Sequence, residues 1–281
     1  MEVDISNRLS ILGHPNRLAL FRLLMRRHPD RVPATELAQA LGLKPNTLSN
    51  YVSALMQAGL VTQQRFGTSL RYAIDIETVR ETFDYLLGDC CRGRPDICAP
   101  LSLCSSQDRS KPAGDPYTVL FLCTGNSARS IFAEAILQTA GQGRFAVFSA
   151  GTKPRAALNP FALRVLHHRG HDTSLLHSKN VEVFRGEDAP DFDFVFTVCD
   201  QAANEDCPVW TGHPISAHWG VPDPALVTGT DAEKSRVFEQ TYAALKSRIE
   251  AFAALPLDTF NGLDAQHAVD RIAHTHVGPS L

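Results

Sequence analysis

The stretch Tyr117–Ser130, YTVLFLCTGNSARS, decides the fold of the larger half of this chain. Val119-Leu120-Phe121-Leu122 is an uninterrupted β-rich apolar run, the signature of a parallel strand buried on both faces. It ends at Cys123, and the residues up to Arg129 are small or polar. From Ser130 the pattern IFAEAILQTA sets Ile131, Ala135, Ile136 and Thr139 at helical spacing, so a helix comes next. Strand, Cys-x5-Arg loop and helix therefore stand in that order. Small residues at Thr124, Gly125, Asn126, Ser127 and Ala128 let backbone N–H groups turn inward around one centre. The helix N-terminus adds its positive end, and the product is a socket for a tetrahedral oxyanion.

Each side chain has a chemical reason to be there. A thiol facing inward N–H groups is expected to ionise near or below neutral pH, and the thiolate at Cys123 is the attacking species. Arg129 offers a planar fork to two oxyanion oxygens, and Ser130 can donate its hydroxyl to the sulfur. Asn126 suits a left-handed turn. The loop resembles that of the low-molecular-weight protein tyrosine phosphatases and of the arsenate reductases built on the same fold.

Around this stretch the chain alternates strands and helices, which predicts an α/β fold with a parallel sheet. Phe145–Phe148 reads as a second strand and Phe192–Val198 as a third, ending at Cys199. Asn159 caps a helix, Ala217-His218-Trp219 precedes a loop carrying Asp223-Pro224-Ala225, and Asp231–Leu255 forms a long closing helix. Chemistry in such sheets gathers at the carboxyl ends of the strands, where Cys123, Cys199 and Asp223 fall. Asp223 is the candidate general acid and base. Cys199 and Cys207 bracket a polar segment, and two such thiols can meet after a rearrangement to form a disulfide. TVCDQAANEDCPVW resembles the redox-cysteine segment of thioredoxin-coupled arsenate reductases, with one more residue between the cysteines than in the best-known members. That resemblance covers residues 116–254 and implies arsenate as substrate, thioredoxin or glutaredoxin as electron donor, and no metal or organic cofactor for catalysis.

The first 71 residues are different in character. They hold nine Lys/Arg against four Asp/Glu, while the remainder holds 18 against 26, so a basic block is concealed in a net charge of -3. Such a block points to nucleic acid. Two helices flank Gly13-His14-Pro15; Thr35 is placed to cap a third, and Pro45-Asn46 opens a fourth. TELAQALGLKPNTLSNYVSALMQAGL has the order of a helix-turn-helix, and VTQQRFGTSLRYAID reads as a β-hairpin wing around Gly67-Thr68. Asn46, Thr47, Ser49, Asn50 and Ser53 lie on the face of the fourth helix turned from the core, suited to base edges; Arg65 and Arg71 on the wing suit phosphates. LGHPNRLALFRLLM, with the residues after it, resembles winged-helix repressors of the ArsR/SmtB type over residues 5–98, which implies a homodimer on operator DNA.

Past the closing helix of that block comes GDCCRGRPDIC. Cys90, Cys91 and Cys98 form a candidate three-thiolate site, which suits trivalent arsenic; Cys104 as a fourth ligand keeps zinc open. A vicinal pair with a third cysteine beyond resembles one subtype of arsenic-responsive repressors and implies arsenite, As(III), as regulatory ligand. Seven cysteines without a signal-peptide pattern predict reduced thiols in the cytoplasm, and no run has the length of a membrane span.

The expected organisation is therefore a winged helix-turn-helix domain over 1–98, a Ser/Pro/Gly-rich linker over 99–116, an α/β domain over 117–255 and a tail over 256–281. The expected function is an arsenic-responsive repressor joined to a thiol-dependent arsenate reductase. Two alternatives remain: a tyrosine phosphatase on a winged-helix regulator, which has no use for Cys199 and Cys207, and a regulator that binds an oxyanion without turnover.

Overall fold

A computed structural model of the chain describes residues 2–91, 114–186, 189–205, 210 and 212–274. It divides into two compact units, Met1–Gln107 and Asp108–Leu281.

The first unit runs α1 (Glu2–Leu12), α2 (Pro15–Arg26), β1 (Val32–Pro33), α3 (Ala34–Ala40), α4 (Pro45–Gln57), β2 (Val61–Phe66), β3 (Ser69–Ile74) and α5 (Ile76–Tyr85), with a π-helical turn at Leu86–Cys90. His14 separates the first two helices and caps the second, its ring accepting from the Asn16 N–H. Leu20, Leu23, Leu24, Leu37, Leu48, Val52 and Leu55 meet in one core, the inner faces of α2, α3 and α4. β2 and β3 pair antiparallel from Val61–Ile74 to Phe66–Ser69, so the wing turns at Gly67-Thr68 as the sequence predicts. The short β1 adds a third strand that no run of apolar residues announces. Thr35 does not cap α3: the capping position is Pro33, with no side-chain bond, and Thr35 lies inside the helix. Pro33 pairs in β1, and its fixed φ already sets the chain for helix entry.

The second unit is a four-stranded parallel sheet with helices. Its elements are β4 (Tyr117–Cys123), α6 (Arg129–Ala140), β5 (Phe145–Gly151), α7 (Pro160–His168), β6 (Phe194–Thr197), α8 (Asp200–Asn204), β7 (Ile215–His218), α9 (Asp231–Ala253) and α10 (Gly262–His274). The strand order is β5-β4-β6-β7, and every pairing is parallel. Central β4 is apolar from Val119 to Leu122 because both its faces are covered there. Val119, Phe121 and Cys123 join the core under α6, α7 and α9, whereas Leu120 and Leu122 join a smaller core with Val181, Phe184, Phe192 and Val195.

Within the expected tail, Leu257–Thr259 forms a 3-10 turn and Gly262–His274 the helix α10. α10 buries Ala265, Ala268, Val269 and Ile272, and its Val269 carbonyl accepts from the indole N–H of buried Trp219 at 3.1 Å. Gln266 donates to the Ser216 carbonyl of edge strand β7 at 2.9 Å. The apolar spacing at 265, 268, 269 and 272 is helical, but polar residues interleave it and a Pro and two short turns precede it. His267 on this helix is exposed.

Candidate functional site

The loop from Cys123 to Arg129 is built by what flanks it. Four backbone N–H groups beyond β5 bond outward-turned loop carbonyls: Thr152 to Cys123 at 3.1 Å, Lys153 to Thr124 at 2.9 Å, Arg155 to Gly125 at 2.9 Å and Asn159 to Ser127 at 2.9 Å. With those carbonyls turned outward, the loop's own N–H groups are free to face inward. Asn126 takes a left-handed conformation, φ 40°, and its N–H points at the Cys123 sulfur at 3.0 Å. Gly151 at the end of β5 has no room for a side chain, since an added Cβ would lie 2.6 Å from the Thr124 carbonyl oxygen.

Asn126 is fixed on all sides. Its amide nitrogen donates to Ser130 and to Ser149, each at 2.8 Å, and its amide oxygen accepts from the Lys179 backbone at 2.7 Å. Ser149 in turn donates to Glu134 at 2.5 Å, and Lys179 Nζ pairs with Glu134 at 3.4 Å. Burial pushes the Glu134 carboxyl up, against the pull of Lys179 and Ser149. The sequence does carry a signal for this network, a Glu inside the apolar helix IFAEAIL and a Ser closing an apolar strand, but nothing local to either residue gives it a role.

Cys123 is buried, its Sγ 2.9 Å from Ser130 Oγ. Once the sulfur is a thiolate, Ser130 is the donor of that pair. Burial pushes the Cys123 thiol up, and Cys199 adds to this; Ser130, Arg129 and the Asn126 N–H pull it down. The net direction is upward, contrary to the expectation of a lowered value. Donors to the sulfur are legible in a sequence, but the depth at which the strand end is buried is not.

Arg129 opens α6 and reaches Asp223, Nη2 to Oδ2 at 2.7 Å, with Nη1 donating to the Val221 carbonyl at 3.3 Å. Asp223 also caps a short 3-10 turn by accepting from Ala225 N–H at 3.0 Å. The loop before it is anchored by buried Arg248 of α9, which donates to the Trp219 and Gly220 carbonyls at 2.9 and 3.1 Å. Arg129 and Asp223, 94 positions apart, thus meet beside the Cys123–Arg129 loop.

Cys199 is buried and lies 3.4 Å from Thr124 Oγ1, which places a second thiol against the same loop. Its Sγ also accepts from Ala202 N–H at 3.4 Å and so caps α8. His218, buried, bridges Thr197 Oγ1 at 2.7 Å and Asp200 Oδ1 at 3.1 Å. Cys207 lies outside the described residues, as do Cys98 and Cys104.

On the first unit, Asn46, Ser49, Asn50 and Ser53 are exposed on α4 and Thr47 is half-buried. Ser49 returns its hydroxyl to the Pro45 carbonyl at 3.0 Å. Arg65 is exposed and donates to the Gly67 carbonyl at 3.0 Å, while Arg71 stacks on Phe66, 5.0 Å from the ring centre. Cys90 is exposed and Cys91 half-buried at the end of the closing helix. Among the described residues no helix is long and apolar enough to cross a membrane.

Comparison with known proteins gives one match within each unit. Residues 12–64 match a helix-turn-helix domain family, and residues 118–264 match the low molecular weight phosphotyrosine protein phosphatase family. An arsenate reductase of Shouchella clausii is 36% identical over 135 residues, 48% of this chain and 94% of that protein. The arsenate reductase of Bacillus subtilis is 33% identical over 135 residues, again 48% and 94%. A glutaredoxin arsenate reductase of Synechocystis is 32% identical over 136 residues, 48% of this chain and 95% of the relative. With more than half of its length matched by that enzyme family, and a separate helix-turn-helix domain ahead of the match, the chain is a member of the low molecular weight phosphotyrosine protein phosphatase family, joined to a winged helix-turn-helix.

Proposed function

We propose that the second unit reduces arsenate to arsenite with thiols, and that the first unit is a DNA-binding repressor released by that arsenite. The observation that carries the enzymatic reading is Cys199, a second buried thiol against the nucleophile loop, 3.4 Å from Thr124 Oγ1. Ester hydrolysis needs one sulfur; reducing arsenate needs two electrons, and a pair of thiols supplies them.

The sulfur of Cys123 attacks arsenic, forming an S–As bond, and one arsenate oxygen leaves as water. The thiol's proton reaches that oxygen through Asp223, which Arg129 holds beside the loop. The inward N–H groups and the N-terminus of α6 stabilise the negative oxygens. The sulfur of Cys199 then attacks the sulfur of Cys123. An S–S bond forms, the S–As bond breaks, and its electron pair stays on arsenic, which leaves as arsenite. Cys207 attacks Cys199 in the mixed pair, restoring Cys123. The resulting Cys199–Cys207 disulfide is reduced by an external dithiol protein of the thioredoxin or glutaredoxin class. No metal or organic cofactor enters the cycle.

For the first unit, the polar face of α4 and the wing arginines are the proposed DNA contacts of a homodimer, and Cys90, Cys91 and Cys98 the proposed arsenite ligands. The basic balance of residues 1–71 and the helix-turn-helix match over 12–64 support the DNA contacts. The deciding experiment gives one sample arsenate with a thioredoxin or glutaredoxin system and, separately, an aryl phosphate. Arsenate turnover lost in Cys199→Ser is the expected result; ester hydrolysis without arsenate turnover overturns the reading in favour of a phosphatase.

A further inference from the structure

The charges around the nucleophile loop are almost all paired. Arg129 lies 2.7 Å from Asp223, Lys179 3.4 Å from Glu134 and Lys153 3.1 Å from Glu205. A doubly negative oxyanion approaching the socket therefore meets side-chain pairs whose net charge is zero. Only backbone dipoles and the end of α6 remain to attract it, and dipole fields fall off within about one helical turn.

Arg155 is the exception. It is exposed, and among the described residues its guanidinium has neither a hydrogen bond nor an ion pair. Its place is nonetheless well defined. The Arg155 N–H donates to the Gly125 carbonyl at 2.9 Å, so its backbone is tied to the oxyanion loop itself. Its side chain lies along Gly125: a Cβ built there would be 3.4 Å from Arg155 Cγ and 3.8 Å from Nε, with Ser127 Oγ at 3.6 Å. Gly125 thus leaves space that the arginine stem occupies, and an uncompensated positive charge stands against the wall of the socket. The next basic residue on the same segment, Lys153, is spent on Glu205 at the end of α8.

We propose that Arg155 is an oxyanion-recruiting residue: it raises the affinity of the socket for free, doubly charged oxyanions by long-range attraction, without taking part in bond making. This rests on the reading of the socket as an inorganic oxyanion site. An exposed charge acts on an anion at several ångströms through a water-like dielectric, so its effect is modest and screened by salt. A guanidinium that held the loop by contact would show no such salt dependence.

The test uses the full-length protein and inorganic phosphate as a non-reducible probe, with Kd measured by calorimetry at low and high ionic strength. Arg155→Gln is expected to weaken phosphate binding about three- to tenfold at low salt, with the difference closing at high salt. Arg155→Lys should retain most of the affinity, because the charge is what counts. In arsenate assays the Gln variant should raise KM with kcat little changed. An unchanged phosphate Kd and salt slope in Arg155→Gln overturns the assignment, as does a loss that is the same at all salt concentrations or is not rescued by Lys. If the wild-type protein fails to reduce arsenate, the reductase reading falls, and the phosphate data still decide the role of Arg155.

Discussion

Ser130 sits between two demands. Its oxygen accepts from the Asn126 amide at 2.8 Å, and its hydrogen is available to the Cys123 sulfur at 2.9 Å. Because burial pushes the Cys123 thiol up while Ser130 pulls it down, removing the hydroxyl leaves the upward push less opposed. Ser130→Ala is expected to move the midpoint of Cys123 alkylation to higher pH and to slow alkylation at neutral pH about tenfold, the size of one hydrogen bond to a charged group. The pH-dependence of stability has its own sign. A thiol whose folded value lies above its unfolded value contributes stability that is complete below the unfolded value and is lost as pH rises through the folded one. Cys123→Ser should abolish that alkaline loss, which denaturant titrations across the thiol range would reveal. Cys199 poses a different question at this scale. Cys199→Ser is expected to stop steady-state arsenate reduction while leaving phosphate binding intact; wild-type turnover in that variant would remove the relay.

At the scale of elements, the pieces legible in the sequence are those whose patterns are local. The strand–loop–helix of 117–140 needs only an apolar run, a short series of small or polar residues and a helical period. The helix, turn, helix and wing of 15–74 need glycine and proline punctuation. What stays hidden depends on distant partners. Glu134 and Ser149 are 15 positions apart and Lys179 lies 45 from Glu134, so only folding unites them under Asn126. α10 escapes a reading of the sequence because its value lies in what it covers, the edge strand β7 and Trp219, rather than in its own composition. Val269 is fully buried there, and Val269→Asp places a carboxylate in an apolar contact. We expect it to lower stability by about 2 to 4 kcal/mol. We also expect a lower kcat before any change in phosphate binding, because Trp219 leads directly into the Asp223 loop. Denaturant midpoints and steady-state kinetics on the same sample check both; unaltered kinetics in a folded variant would detach α10 from Asp223, the proposed acid.

For the whole molecule, the proposed function joins a site that makes arsenite to a site that senses it. Arsenite should release operator DNA directly, and arsenate only after turnover, so Cys123→Ser should respond to arsenite and ignore arsenate. Cys90→Ser and Cys91→Ser should lose the response to both while reducing arsenate normally. A tenfold loss of operator affinity requires about 1.4 kcal/mol of preference by arsenite for the released state, well within the reach of metal–thiolate bonds. Operator binding with and without each oxyanion, read on wild type and the three variants, separates these outcomes; release by arsenate in Cys123→Ser would uncouple sensing from reduction.

The anchoring of the Asp223 loop by Arg248 of α9 and, through Trp219, by α10 also bears on birth order at the ribosome. Chains emerge N-terminus first at roughly 5–20 residues per second, and domains fold as they appear. The first unit can assemble once its own residues are out. Asp223, the proposed acid, acquires the last anchor of its loop only when residue 269 has emerged, on the order of ten seconds or more later. A nascent chain therefore completes its first unit some time before the loop that carries Asp223 has its last support, and the order in which the two halves are joined makes that lag unavoidable.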